Sequence, residues 1–61
     1  MLKNGFIDTI ENGYYTVWFP DTKSRSPKIK KLDHVGELSI NDIVIVGFYG
    51  PSEGVVIGKI S

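Results

Sequence analysis

The chain has 61 residues with seven basic and seven acidic side chains, one histidine, no cysteine and a formal net charge of zero. That length makes one domain, residues 1–61, which buries only about 60% of the surface its unfolded chain exposes; without thiols, disulfides and thiolate metal sites are excluded as sources of stability, and a lone His34 cannot hold zinc unaided. Neutral charge excludes a global field toward nucleic acid or an anionic membrane, no apolar run approaches the roughly 20 residues that span a bilayer, and Met1-Leu2-Lys3-Asn4-Gly5 does not open a signal peptide. The expectation is a soluble cytoplasmic protein whose thin stability is remedied by self-association.

In chain order, Phe6 to Ile10 reads as a short first strand and Tyr14 to Phe19 as a second, rich in aromatic and β-branched residues. Between them Asn12-Gly13 is the strongest hairpin signal, because both residues tolerate the positive φ of tight primed turns. Pro20 ends the second strand, and Asp21 to Pro27 is polar and reads as an exposed loop. Lys28 to Leu32 makes a third strand. Ser39-Ile40-Asn41-Asp42 has capping-box spacing with Asp in the last place, but Ile43-Val44-Ile45-Val46 follows, so a turn is expected there in place of a helix. The fourth strand runs from 43 to 48 and the fifth from 55 to 60, joined by the polar hairpin loop around Gly50-Pro51-Ser52-Glu53-Gly54. Short strands throughout and no helix-period segment predict an all-β fold, a small five-stranded barrel of the OB kind with an SH3-like barrel as runner-up.

The last two strands are apolar on both faces of the pleat, which a lone small barrel has little use for. Tyr15, Val17 and Phe19 share one face of the second strand, and Tyr14, Thr16 and Trp18 the other; Val44, Val46 and Phe48 oppose Ile43, Ile45 and Gly47 in the fourth. A barrel interior takes only one of each set. With the first sets inward, Tyr14, Trp18, Ile43 and Ile45 stay outside, joined by either Val55 and Ile57 or Val56 and Ile60. Such a patch exceeds what soluble monomers expose and contains the aromatic types enriched at interface hot spots. Tyr14, Trp18, Ile43, Ile45, Val55 and Ile57 are the candidate oligomer interface.

Five of the seven basic residues, Lys23, Arg25, Lys28, Lys30 and Lys31, fall within nine positions free of acids. Basic residues beside aromatic strands are the footprint of single-stranded nucleic-acid binding on such barrels, so these five are candidate anion contacts, with Trp18 as a stacking platform. Weighing against this, affinity for phosphates follows the number of cations engaged, and here the total charge is balanced. Enzymatic function has little support. Asp33 and His34 lack a Ser or Cys nucleophile in a recognisable setting, and the 50–54 loop lacks the lysine and following helix of a phosphate cradle. No catalytic, metal or cofactor residues are assigned, and no small-molecule substrate or membrane partner is expected.

Gly5-Phe6-Ile7, Tyr15-Thr16-Val17-Trp18-Phe19-Pro20, the run Leu38 to Val46 and the run Glu53 to Ile60 occur in the order and spacing of a pattern of G-x-I, V-x-F-P, a Gly-Asp turn into V-x-V, and a closing G-V-V-I-G. In this the chain resembles the OB-fold domain of phage tail spike and baseplate-hub proteins, over nearly its whole length. Asn41 stands where that family's turn usually has Gly, a change the left-handed region tolerates. A spike continues into a trimeric needle where this chain stops at Ser61, so the needle function is not carried over. The resemblance implies a stand-alone phage or prophage barrel, a tail or baseplate component or assembly chaperone. Its expected partners are itself, as a trimer or hexamer, and other phage tail proteins, in the host cytoplasm during assembly and in the virion tail.

Overall fold

In a computed structural model that describes residues 1–60, the chain forms β1 (Leu2–Glu11), β2 (Tyr14–Phe19), β3 (Ser24–Arg25), β4 (Lys30–Lys31), β5 (Ile43–Phe48) and β6 (Gly54–Lys59), with a 3-10 turn at Asp33–Val35. The sheet runs in the order β3-β2-β1-β5-β6-β4. All pairings are antiparallel except β4 with β6, which is parallel through Lys30 opposite Val55 and Lys31 opposite Val56. Just before β4, Ile29 pairs with Tyr15 of β2, and this bridge curls the sheet back on itself. Counting Ile29 to Lys31 as one strand, the ring order and its single parallel pairing are those of an OB-like barrel; an SH3-like barrel would be antiparallel throughout.

β1 makes this curvature. Its first half, Leu2 to Phe6, pairs with β5, and its second half, Phe6 to Glu11, pairs with β2, with a bulge between Ile7 and Thr9 where the strand bends. Beside the bulge the Thr9 and Thr16 hydroxyls bond to each other at 2.6 Å. The Asn12-Gly13 hairpin has positive φ at both residues, 51° and 79°, as the primed turn demands.

At Gly5, β1 runs close against β2. A Cβ there would lie 2.6 Å from Val17 Cγ1 and 2.9 Å from Phe19 Cδ1, and would press on the Trp18 carbonyl oxygen. Inside the barrel Ile7, Tyr15, Val17, Phe19, Ile29, Leu38, Val44, Val46 and Val56 form one buried cluster, with Val35 and Phe48 packed against it. The inward sets expected from alternation in the second and fourth strands are the ones found inside.

Several boundaries move. The first strand begins at Leu2 instead of Phe6, because Leu2 to Gly5 is zipped to Val44–Gly47. The fifth ends at Lys59, although Ile60 N–H still donates to the Ile43 carbonyl. The third strand shrinks to Lys30–Lys31 plus the Ile29 bridge. The polar 21–27 loop is not wholly free: Ser24 and Arg25 pair with Phe19 and Trp18, and Ser26 is buried. There its backbone N–H donates to the Val17 carbonyl while its Oγ accepts the Val17 N–H at 2.9 Å.

We expect Gly5→Ala to lower the unfolding free energy by about 3 kcal/mol, the upper range for overpacking, because the clashing Trp18 carbonyl is backbone and cannot rotate away. Gly58→Ala, with open space around its Cβ position, serves as the control and should change stability by less than about 1 kcal/mol. Urea unfolding followed by Trp18 fluorescence measures both.

Candidate functional site

The outward residues of β1, β2, β5 and β6 form rows that the strand register defines. Phe6 lies opposite both Trp18 and Ile43, so these three share a face in one line across the sheet. The next rows set Asn4 beside Ile45 and Gly58, then Leu2 beside Gly47 and Val55. Ile57 bulges out of the β5–β6 ladder, and its Cγ2 and Leu2 Cδ2 would lie 3.5 and 3.7 Å from a Cβ on Gly47, so the two side chains converge over that glycine. Leu2, Ile43 and Ile60 are 66%, 44% and 56% exposed, while Phe6, Ile45, Val55 and Ile57 are half-buried. The face is thus apolar, nearly continuous and interrupted chiefly by Asn4.

Of the candidate interface residues, Ile43, Ile45 and Ile57 fall together here, and Trp18 joins them through Phe6. Trp18 is partly covered: the Arg25 guanidinium lies 5.9 Å from its ring, and Arg25 Nε is held by Asp8 Oδ2 at 2.6 Å. Val55 marks the edge of the face, between Gly47 and Lys30. Tyr14 lies further round the barrel, where Lys30 Nζ sits 5.3 Å from its ring. Leu2 and Phe6 were not among the candidates, and the alternative pair Val56 and Ile60 is divided, Val56 being buried in the core and Ile60 56% exposed. The alternation of Leu2, Asn4 and Phe6 was the available signal, hidden by Asn4 and by the glycine after it.

Beyond Val55 an open hollow of about 260 Å³ is lined by Tyr14, Lys28, Ile29, Lys30, Tyr49, Ser52, Glu53, Gly54 and Val55. Tyr14 comes from the start of β2, the lysines from the approach to β4, and Tyr49, Ser52 and Glu53 from the β5–β6 loop. That loop is closed by the Tyr49 N–H donating to the Glu53 carbonyl at 3.0 Å.

The basic cluster is dispersed by folding. Arg25 pairs with Asp8, Lys28 Nζ with Glu11 Oε1 at 2.9 Å, and Lys30 lies against Tyr14. Lys23, at φ 51°, and Lys31 form no ion pair with the described residues. His34 is exposed on the 3-10 turn, with Nε2 3.2 Å from the Ile57 carbonyl oxygen. Among the described residues no three or more His, Asp or Glu side chains gather to hold a metal, and no helix is long and apolar enough to cross a membrane.

At the border of the apolar face the 39–42 segment uses its capping-box spacing in a turn. The Ser39 N–H donates to Asp42 Oδ2 at 2.8 Å, the Asp42 N–H to the Ser39 carbonyl, and Asn41 takes φ 72°. The Ser39 hydrogen bond holds the Asp42 carboxyl below its ordinary value of 3.8; partial burial opposes this, and Lys59 Nζ at 3.3 Å adds to it. Glu11 is likewise held below 4.5 by the hydrogen bond and charge of Lys28.

Comparison with protein-family models, with curated proteins and with solved structures finds no match for this chain.

Both carboxyls hold their protons less tightly folded than unfolded, so each stabilises the fold above its unfolded value, and that contribution is lost as pH falls through the lower folded value. We expect stability to decline from about pH 5 toward pH 2, and Asp42→Asn to be less stable at neutral pH yet to lose less on acidification. Thermal unfolding across this range reads both slopes.

Proposed function

We propose that the protein is a non-enzymatic assembly module that works as a homo-oligomer, a component or assembly chaperone of a phage tail or baseplate. The observation that carries self-assembly is the apolar outer face of Leu2, Phe6, Ile43, Ile45 and Ile57, extended by Trp18. Side chains of this kind outside a barrel are stabilised when another surface removes them from water, at roughly 25 cal/mol per Å². The accessible surface, 3977 Å², is close to the roughly 4,000 Å² expected of a compact monomer of this mass. An interface of ordinary size, about 800 Å² per partner, would therefore take about a fifth of it. The tail or baseplate setting rests on the ordered sequence resemblance, and a closed ring of three or six copies suits it. The nucleic-acid alternative loses support from the two cations committed to Asp8 and Glu11.

Size-exclusion chromatography with light scattering, at low and high salt and with a single-stranded oligonucleotide, tests the reading. The chain should run as a salt-resistant oligomer that ignores the oligonucleotide. Leu2→Asp and Ile45→Asp should weaken association about tenfold or more, since each would bury a charge, and Trp18→Ala should weaken it as well. Lys30→Ala should keep the wild-type mass. A wild-type monomer, or loss of mass in the lysine variant alone, would overturn the assignment.

A further inference from the structure

We propose that the hollow bounded by Tyr14, Lys30 and the 49–54 loop binds one ring of a neutral sugar. It borders the assembly face: Leu2, Phe6, Ile43, Ile45 and Ile57 do not line it, but Val55, at the edge of that face, and Tyr14 do. Tyr49 is 72% exposed at its rim, on a loop pinned by the Tyr49 N–H to Glu53 carbonyl hydrogen bond. A large aromatic side chain held out in water on a closed loop is a stacking platform without a partner. Its ring face carries the negative lobe of the quadrupole, which attracts the weakly positive C–H face of a pyranose. Tyr14, 40% exposed, also lines the hollow, with Lys30 Nζ over its ring at 5.3 Å.

The charges decide the ligand class. Lys28 and Glu11 cancel each other at 2.9 Å, leaving Lys30 and Glu53 as one cation and one anion. Glu53 lines the hollow from the 49–54 loop, with its Oε1 2.7 Å from where a Cβ on Gly50 would stand. A phosphate or carboxylate ligand carries negative charge, and Glu53 would repel it. An apolar ligand would leave both charges desolvated and unpaired. A polyol does neither, because its hydroxyls donate to Glu53 and accept from Lys30, while the Ser52 hydroxyl can do either. The volume of about 260 Å³ is below the roughly 300–1,000 Å³ of drug-sized sites, and so suits a single ring, with the rest of an oligosaccharide outside.

The test is an amide NMR titration of the whole chain with chitotriose, maltotriose and cellotriose, each to tens of millimolar, and separately with hexathymidylate. At least one trisaccharide should shift Tyr14, Tyr49, Ser52 and Glu53 with millimolar affinity that salt leaves unchanged. Tyr49→Ala, at an exposed position, should keep the rest of the spectrum and weaken binding about tenfold; Glu53→Gln should weaken it less. Absence of shifts with all three sugars, shifts confined to other residues, or an undiminished response in Tyr49→Ala would overturn the proposal. So would salt-reversible shifts of these same residues by hexathymidylate in place of the sugars, which would make the hollow a nucleic-acid site. The titration reads the hollow's own amides and light scattering reads mass, so failure here and failure of the assembly reading are told apart.

Discussion

The barrel depends on four residues, Ile29 to Leu32, that are bonded on two sides. Ile29 exchanges both backbone hydrogen bonds with Tyr15, at 2.7 and 2.8 Å, and the next residues turn to β6, where Lys30 and Lys31 pair in parallel and the Leu32 N–H donates to the Val56 carbonyl. Without this segment β6 and the Tyr15 end of β2, which β3 does not reach, would be open edges, each a template for unwanted pairing. Ile29 also reaches the core, so the residue that closes the backbone ring fills the interior as well. Closure then fixes which side of every other strand faces inward.

That division leaves an apolar surplus outside. Valines supply much of the fully enclosed interior, at positions 17, 44, 46 and 56, together with Ile7. Isoleucines 43, 45, 57 and 60 stay outside on β5, on β6 or just beyond it. On β5 the residues that face inward beside β1 are Val44, opposite Gly5, and Val46, while the isoleucines of the same strand, Ile43 and Ile45, are left for another surface to cover.

Much of this was legible in the sequence because it is local or periodic. Tyr15-Val17-Phe19 and Val44-Val46 announce their inward face by alternation, and Asn12-Gly13 announces its turn by the φ values it tolerates. What was not legible depends on partners distant in the chain. Lys3-Asn4-Gly5 does not resemble a strand, yet β5 makes it one. Ser24-Arg25 reads as loop but is recruited by β2, with Ser26 supplying the side-chain acceptor for Val17. The 39–42 spacing fits a helix start and a tight turn equally, and the valine and isoleucine run that follows decides for the turn. The hollow joins Tyr14 to Tyr49, from opposite ends of the chain, and no spacing rule links them.

The basic run shows the same limit in its electrostatics. Five cations in nine positions look like a phosphate track, but along a barrel their neighbours in space are not their neighbours in sequence. Asp8 and Glu11, on β1, meet Arg25 and Lys28 because β1 pairs with β2 and the chain after β2 returns across it. Single-strand binding changes by roughly 0.7 in log K per log unit of salt for each phosphate neutralised. Cations already paired with carboxylates must break those pairs before contributing, which leaves Lys23, Lys30 and Lys31 as the charges of the run with no ion pair among the described residues. Lys30 is in turn drawn to Tyr14 and faces the hollow with Glu53. The surface there is balanced at short range, and at that range donors and acceptors, more than net charge, select what can bind.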